Sequence, residues 1–186
     1  YQELFKVNLY TGLDYEKDGE NQSSNADYYY DGANFPFDDE VYDSCICTEV
    51  LEHVFNPDQF LSELNRVLKP GGALLITVPF VWDEHEQPYD YARYSSYGLI
   101  HVLKKNGFKV IVHQKSMDDF RCICQLVNAY THKTFLRCSN GIVEKVLILL
   151  LCSPVNIFGS FLGWILPKNT DLYLDNIIVA NKTVSQ

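Results

Sequence analysis

The sequence predicts an α/β fold with a mostly parallel sheet, and three neighbouring segments carry this prediction. A β-branched and cysteine-containing run lies at 42–47, apolar residues at helical spacing follow at 59–68, and a second apolar run occupies 73–78. Strand, helix and strand in this order form a βαβ crossover, the unit of an open parallel sheet. Because such sheets bind ligands at the carboxyl ends of their strands, the site is expected near Thr48-Glu49 and Pro79-Phe80.

The helix of this crossover has clear boundary signals. Asn56-Pro57-Asp58 places a proline near the first turn and an acidic side chain beside the positive end of the helix dipole. Lys69-Pro70-Gly71-Gly72 is expected to end the helix and to lead the chain into the next strand. The run that follows is apolar throughout, which is typical of a strand buried on both faces.

The other elements follow from the same periodicities. Gly107 is expected to end a helix that begins at Ser96. We predict further strands at 7–15, 26–30, 108–113 and 171–180, a polar loop at 16–25, helices at 96–106 and 117–132, and a very apolar segment at 141–166.

Composition limits the class of function. At 186 residues and 47% hydrophobic, the chain is expected to form a single domain over 1–186. A net charge of −9 without a lysine and arginine cluster argues against nucleic acid as the substrate. The cysteines have C-x-C spacing, which is not that of zinc or dithiol sites, so we predict no metal site and reduced, buried thiols in a cytoplasmic protein. These cysteines are Cys45, Cys47, Cys122, Cys124, Cys138 and Cys152.

Several motifs around the crossover are typical of one enzyme family. Phe35-Pro36-Phe37, Tyr42-Asp43, the run EVLEHV at 49–54 and the run RVLKPGG at 66–72 resemble the S-adenosylmethionine-dependent methyltransferases of the Rossmann-like class, methyltransferase type 11. The run EHEQPYDYARY at 84–94 is similar to a branch of that family associated with bacterial surface-polysaccharide gene clusters. The resemblance implies methyl transfer from S-adenosylmethionine to a small-molecule or saccharide acceptor.

The resemblance also implies details of the fold. The family has a Rossmann-like sheet with helices on both faces and an antiparallel last strand, and here an apolar helical insertion at about 117–168 would precede that strand. In the family a glycine-rich loop after the first strand holds the methionine part of the cofactor, because glycine lets backbone N–H groups approach closely. No G-x-G pattern precedes Asp14. We therefore expect a truncated domain, with reduced activity, that lacks this loop and the first, central strand.

Four residues are assigned by this resemblance to the adenosine part of the cofactor. Asp14 is the expected acceptor for the two ribose hydroxyls, and the alternative is a carboxylate that caps a turn. Asp31 matches the acid that accepts the adenine amino group, and its Asp-Gly turn would position the carboxylate. Gly32 and Ala33 would contact the base through their backbone.

Three further cofactor residues are expected where the strand at 42–47 ends. Thr48 and Glu49 would lie beside the sulfonium, where the carboxylate of Glu49 could oppose its positive charge. His53 lies on the next turn, and a purely structural histidine is an equally good interpretation. Glu52 is expected to face solvent or to cap a turn.

The loop at 84–94 is the predicted acceptor wall, because it follows the end of the next strand. Methyl transfer to a hydroxyl needs a base, and the imidazole of histidine titrates near neutral pH, so His85 is the candidate base. Arg93 is the candidate clamp for an acceptor carboxylate or phosphate, and Asp90 completes the predicted catalytic group. The alternative is that His85, Asp90 and Arg93 form a hydrogen-bond network that only holds the loop.

The apolar segment at 143–166 allows two interpretations. Its length approaches a membrane span, but Ser153-Pro154 and Asn156 interrupt it, which favours two short helices packed on the domain. The other interpretation is a peripheral membrane contact that helps to bind a lipid-linked acceptor.

Two other functional classes remain open from the sequence. A nicotinamide-dependent oxidoreductase would share the sheet, but its G-x-G-x-x-G loop is not seen in the sequence. A non-catalytic binding or scaffold module of the same fold would also fit a chain without the cofactor loop.

Overall fold

The computed structural model describes residues 2–16, 26–136 and 141–184. The predicted loop at 16–25, except Glu16, and Cys138 lie outside these residues. The strands are β1 Leu13–Tyr15, β2 Tyr28–Tyr30, β3 Tyr42–Thr48, β4 Leu68–Pro79, β5 Phe108–Lys115 and β6 Asp175–Lys182. The helices are α1 Pro57–Val67, α2 Ser96–Lys105, α3 Arg121–Thr131 and α4 Ile142–Ile165, with short helical turns at Gln2–Leu4, Leu51–His53 and His132–Leu136.

The main sheet has four strands in the order β3-β4-β6-β5. β3 and β4 are parallel, with Cys47 opposite Ile76, whereas β6 is antiparallel to both of its neighbours. Apolar residues from this sheet pack with α1 and α2 into one core. The predicted α/β class and the antiparallel last strand are therefore confirmed.

A second sheet contains only β1 and β2, which run parallel with Asp14 opposite Tyr29. Within the part of the chain that the structure describes, β1 and β3 do not pair with each other. A largely apolar cavity of about 430 Å³ lies between them, lined on one side by Leu13 and Asp14 and on the other by Cys45 and Ile46.

The crossover from β3 to β4 follows its sequence signals. The Asn56 side chain accepts a hydrogen bond from the Gln59 N–H at 3.3 Å, and Pro57 begins α1. The helix ends at Val67, and β4 follows directly. Gly71 has φ +76°, a conformation that favours glycine. A Cβ on Gly72 would lie 2.8 Å from the Lys69 carbonyl oxygen. Both glycines lie within β4, so the segment Lys69–Gly72 that was expected to lead into the strand is part of it.

Arg66 fixes the segment before β3 to α1. Its guanidinium donates to the Glu63 carboxylate at 2.7 Å and to the carbonyl oxygens of Phe35 and Phe37. The Glu63 carboxylate in turn accepts the Phe35 N–H at 2.7 Å, and Asp39 forms a further ion pair with Arg66. The two motifs that the sequence suggested, at 35–37 and 66–72, are therefore one hydrogen-bonded unit.

Three element predictions differ from the structure. The strand expected at 7–15 is limited to β1, because residues 7–12 have no strand partner among the described residues and Val7 and Leu9 are exposed. The helix expected at 117–132 begins only at Arg121. The two short helices expected in the apolar segment are one 24-residue helix with Pro154 inside. A hydrogen bond of 2.7 Å between Asn128 and Asn156 ties this helix to α3 beside the proline.

Candidate active site

The carboxyl ends of β3 and β4 form the polar edge of the main sheet. Thr48 is the last residue of β3, paired with Thr77 of β4. Glu49 follows with φ +52°, and its carboxylate accepts a hydrogen bond from the Thr77 hydroxyl at 2.7 Å. A non-glycine residue in this conformation is rare and persists only where its surroundings hold it. Burial raises the pKa of the Glu49 carboxyl, and the Thr77 hydrogen bond opposes this shift.

Glu52 is placed differently from the expectation. The side chain is fully buried, and neither carboxylate oxygen has a hydrogen-bond partner among the described residues. Burial is the main cause that raises the pKa of this carboxyl. The expectation that Glu52 faces solvent or caps a turn is wrong, because its turn tucks under the loop that follows β4. The Glu52 carbonyl oxygen accepts the N–H groups of Tyr91 and Ala92 from that loop.

His53 and His85 face each other across this edge. Their rings are 4.7 Å apart between centroids and nearly perpendicular. His53 Nδ1 lies 2.9 Å from the Tyr89 carbonyl oxygen, and His85 Nδ1 lies 3.2 Å from that of Asp83. Because a carbonyl oxygen only accepts, the Tyr89 contact assigns the proton of the neutral His53 ring to Nδ1, and Nε2 can accept a proton. His85 Nδ1 lies near the Asp83 carbonyl oxygen, which accepts, and also 3.4 Å from Arg93 Nη2, which only donates, so these contacts are compatible with either tautomer of His85.

Asp90 and Arg93 form the scaffold of the loop at 84–94. The Asp90 side chain is buried and receives two guanidinium hydrogen bonds from Arg93, at 2.5 and 2.7 Å, and the backbone N–H of His85 at 3.0 Å. The Arg93 guanidinium holds the pKa of the Asp90 carboxyl well below its usual range. Arg93 also donates to the carbonyl oxygens of Trp82, Asp83 and Ala92. This geometry matches the loop-holding network, and an acceptor contact by Arg93 stays a prediction.

The four residues assigned to adenosine lie on the second sheet. Asp14 is exposed and its carboxylate accepts only the Tyr15 N–H among the contacts that the structure describes. Asp31 is fully exposed, and one carboxylate oxygen accepts the N–H groups of Ala33 and Asn34, which lowers the pKa of this carboxyl. Gly32 has φ +85°, as an Asp-Gly turn requires.

These placements fit an adenosine-containing cation in two respects. Asp14 and Asp31 present carboxylate oxygens near the carboxyl ends of two paired parallel strands, where ribose and base hydroxyl or amino groups would be accepted. Glu49 places an acidic group at the end of β3, which suits a positively charged sulfonium. The structure thus brings Thr48, Glu49, His53 and His85 together, while Asp14 lines the cavity between the two sheets.

Three of these side chains also have the separation of a metal-ligand set. Ligand atoms of Glu52, His53 and His85 lie within 4.8 Å of one another. The sequence did not indicate this grouping, since the residues are more than thirty positions apart and Glu52 looked solvent-facing. The one available signal was that an acidic and an imidazole side chain follow a predicted buried strand. The prediction that the protein has no metal site is not tested by this geometry.

Comparison with known proteins finds relatives of part of the chain. Residues 4–76 match the family model described as "Methyltransferase domain". An uncharacterized protein of Methanocaldococcus jannaschii is 32% identical over 91 residues, which cover 43% of this chain and 44% of that protein. The mitochondrial ubiquinone biosynthesis O-methyltransferase of Dictyostelium discoideum is 44% identical over 39 residues, which are 21% of this chain and 12% of that protein. The chain spans less than half the length of these curated relatives.

Solved structures agree on the fold. A phosphoethanolamine N-methyltransferase 2 of Haemonchus contortus in complex with S-adenosyl-L-methionine aligns with a TM-score of 0.52 and 20% identity. The alignment covers 84% of this chain and 37% of the nematode chain. Residues 4–76 are therefore similar to a methyltransferase domain, and the chain has the fold of solved S-adenosylmethionine-dependent methyltransferases.

Proposed function

We propose that the protein transfers a methyl group from S-adenosylmethionine to a hydroxyl of a small-molecule or saccharide acceptor. The observation that carries this proposal is the convergence of Glu49, His53 and His85 at the carboxyl ends of β3 and β4. The acceptor would lie between this edge and the loop at 84–94. A scaffold function would not need a proton acceptor at this edge, and the G-x-G-x-x-G loop that favours an oxidoreductase is not seen in the sequence.

Each group of residues would have a separate role in the proposed reaction. The bound cofactor supplies an electrophilic methyl group on a sulfonium. Asp14, Asp31, Gly32 and Ala33 would hold its adenosine part, and Glu49 would offset the sulfonium charge before transfer. The Asp83 carbonyl oxygen orients the His85 ring so that Nε2 faces away from the backbone.

Proton transfer completes the proposed reaction. The acceptor oxygen forms a bond to the methyl carbon while the carbon–sulfur bond breaks, and the hydroxyl proton passes to His85 Nε2. The Asp90 carboxylate, 3.5 Å from His85 Nδ1, stabilises the imidazolium that results. Asp90 is held in place by Arg93, so the arginine acts through the base as a positioning residue.

The first prediction tests this assignment. His85→Ala is expected to lower single-turnover methyl transfer to a saccharide acceptor panel by about 10²–10⁴-fold, which is the usual contribution of a general base. Cofactor binding, measured by calorimetry, should change little. His101→Ala, an exposed histidine on α2, is the matched control and should retain full activity. Full activity of His85→Ala with unchanged melting temperature would contradict the role of His85.

A separate measurement tests the cofactor residues. Asp14→Asn and Asp31→Asn each remove a charged hydrogen-bond acceptor, so each should weaken cofactor binding by about tenfold or more. The 186 residues alone are proposed to bind the cofactor weakly, because the cavity between β1 and β3 interrupts the cofactor side of the sheet. If both variants bind as the unchanged chain does, the adenosine assignment is wrong.

The proposal extends to partners and location. We propose a cytoplasmic protein that contacts a membrane peripherally through residues 143–166 and does not use nucleic acid. The support is the charge-free run from Val146 to Leu166 and the acidic net charge of −9. Unpaired thiols at the five described cysteines suit the reducing interior of a cell.

A further inference from the structure

We propose that α3 and α4, here called the hairpin, dock flat on a lipid bilayer and hold the candidate active site at the membrane surface. A 24-residue helix whose most apolar window has a mean hydropathy of 2.1 would normally be buried, yet only 11% of that window is buried within the described residues. Such an exposed apolar area is far larger than water-facing surfaces usually carry. Hydrocarbon is the environment that covers it without specific partner contacts.

The exposed side chains of α4 are mostly apolar, which is the kind of surface that lipid hydrocarbon covers. From Val146 to Leu166 no side chain carries a charge. Trp164 is 82% exposed, Ile157 72% and Leu149 65%. The other large apolar residues exposed on α4 are Ile142, Val143, Val146, Leu150, Leu151, Phe158, Phe161 and Ile165.

One face of α4 is already used by the protein. Cys152 and Gly159 are buried, and a Cβ on Gly159 would lie 2.7 Å from the Cys124 sulfur of α3. The close approach at glycine seats α4 against α3, and the hydrogen bond between Asn128 and Asn156 fixes their register. The remaining, apolar side of α4 therefore points away from the domain.

Both ends of the hairpin are attached to the domain. At one end Lys133 pairs with Asp83 at 2.8 Å and donates to the Glu84 carbonyl oxygen at 2.7 Å, which ties it to the acceptor loop. At the other end Lys168 pairs with Asp118 at 2.8 Å, just beyond β5. A helix that crossed a bilayer would be tied to the domain at one end only. The attachments thus favour α4 in the plane of the membrane surface.

This orientation has a consequence for the acceptor, which rests on the proposed function. Lys133 joins the hairpin to the loop that carries His85, so a docked hairpin brings the base to the height of the lipid headgroups. The class of acceptor that fits is a saccharide joined to a membrane lipid through a polar linker. Trp164 lies at the end of α4, where indole rings favour the membrane–water interface.

Vesicle binding tests the docking without any methyl transfer. The full chain is expected to co-sediment with phosphatidylcholine vesicles, and Leu149→Glu and Ile157→Glu should each reduce the bound fraction at least about tenfold. Tyr97→Glu, on the exposed surface of α2, is the matched control and should bind unchanged. Equal binding by the Leu149→Glu and Tyr97→Glu variants, or no binding by the unchanged chain, would overturn the proposal.

The depth of Trp164 tests the orientation. With Trp82→Phe as the background, Trp164 fluorescence should shift to the blue on vesicles and be quenched by lipids brominated near the headgroup. Quenching by lipids brominated near the chain ends, with none near the headgroup, would overturn the in-plane arrangement. Full methyl transfer by a His85→Ala variant that still binds vesicles would count against the proposed reaction and leave the docking intact.

Discussion

The buried position of Glu52 makes its ionised carboxylate destabilising to the folded protein. An acid that is fully buried without a hydrogen-bond partner is favoured in its protonated form, and burial accordingly raises its pKa. Because the folded pKa lies above the unfolded value, the folded state binds more protons in the window between the two. The free energy of unfolding therefore falls as the pH rises from the unfolded pKa to the raised folded pKa.

Removal of this charge should stabilise the protein. Glu52→Gln, which keeps the shape and cannot ionise, is expected to melt at a higher temperature than the unchanged chain at pH 7.5. The difference should vanish below about pH 4.5, the ordinary value for the group. Thermal unfolding from pH 4 to pH 8 measures this, with Glu86→Gln on the exposed loop surface as the control. A lower melting temperature for Glu52→Gln throughout would show that the carboxylate has a stabilising partner.

The carboxyl of Asp90 has the opposite effect on how the free energy of unfolding changes with pH. Its pKa is depressed by Arg93, so its contribution to the free energy of unfolding is complete above the unfolded pKa and lost as the pH falls through the folded pKa. Asp90→Asn is expected to cost about 1.5–3 kcal/mol near neutral pH, typical of hydrogen bonds to charged groups. The cost should shrink only in strongly acidic solution. Denaturant titrations at pH 7 and pH 3 measure this, and a pH-independent difference would contradict the ion-pair explanation.

The contact between α3 and α4 depends on a residue without a side chain. Gly159→Val would place methyl groups where the Cys124 sulfur lies, and overpacking of this kind typically costs about 1–3 kcal/mol. We expect a lower melting temperature for this variant. Ser160→Val adds a similar side chain one position later, on the exposed surface, and is the matched control. If both variants melt alike, the close approach at Gly159 does not determine the packing.

Elements with strong local signals were predictable from the sequence, and those defined by distant contacts were not. Asn56-Pro57 and Gly107 mark the ends of α1 and α2 within a residue, since caps act through neighbouring backbone groups. Because of Pro154, two short helices were predicted where the structure has the single helix α4. A proline inside a helix is tolerated when tertiary contacts hold both sides together. The burial of Glu52 could not be predicted from the sequence either, because it depends on a loop almost forty residues later.

Across the whole molecule, the division into two sheets has the largest effect on function. Asp14, assigned to the adenosine by the proposal, lies on the sheet of β1 and β2, and His85, the proposed base, lies beside the ends of β3 and β4. An apolar cavity of about 430 Å³ separates the two sheets. A change that stabilises the contact between the two sheets is expected to raise cofactor affinity as well.

The pairing of β5 with β6 closes before the hairpin begins, so the hairpin can be exchanged without disrupting the sheet. The Ser116 N–H donates to the Asp175 carbonyl oxygen at 3.0 Å, and the Leu174 N–H donates to that of Ser116 at 3.0 Å. The antiparallel ladder of β5 and β6 thus closes before the chain leaves the domain and resumes where it returns. Because loop closure costs rise only slowly with length, insertions of different size can occupy this position without loss of the sheet. The hairpin can therefore be exchanged or shortened at this single junction while the pairing of β5 with β6 stays intact.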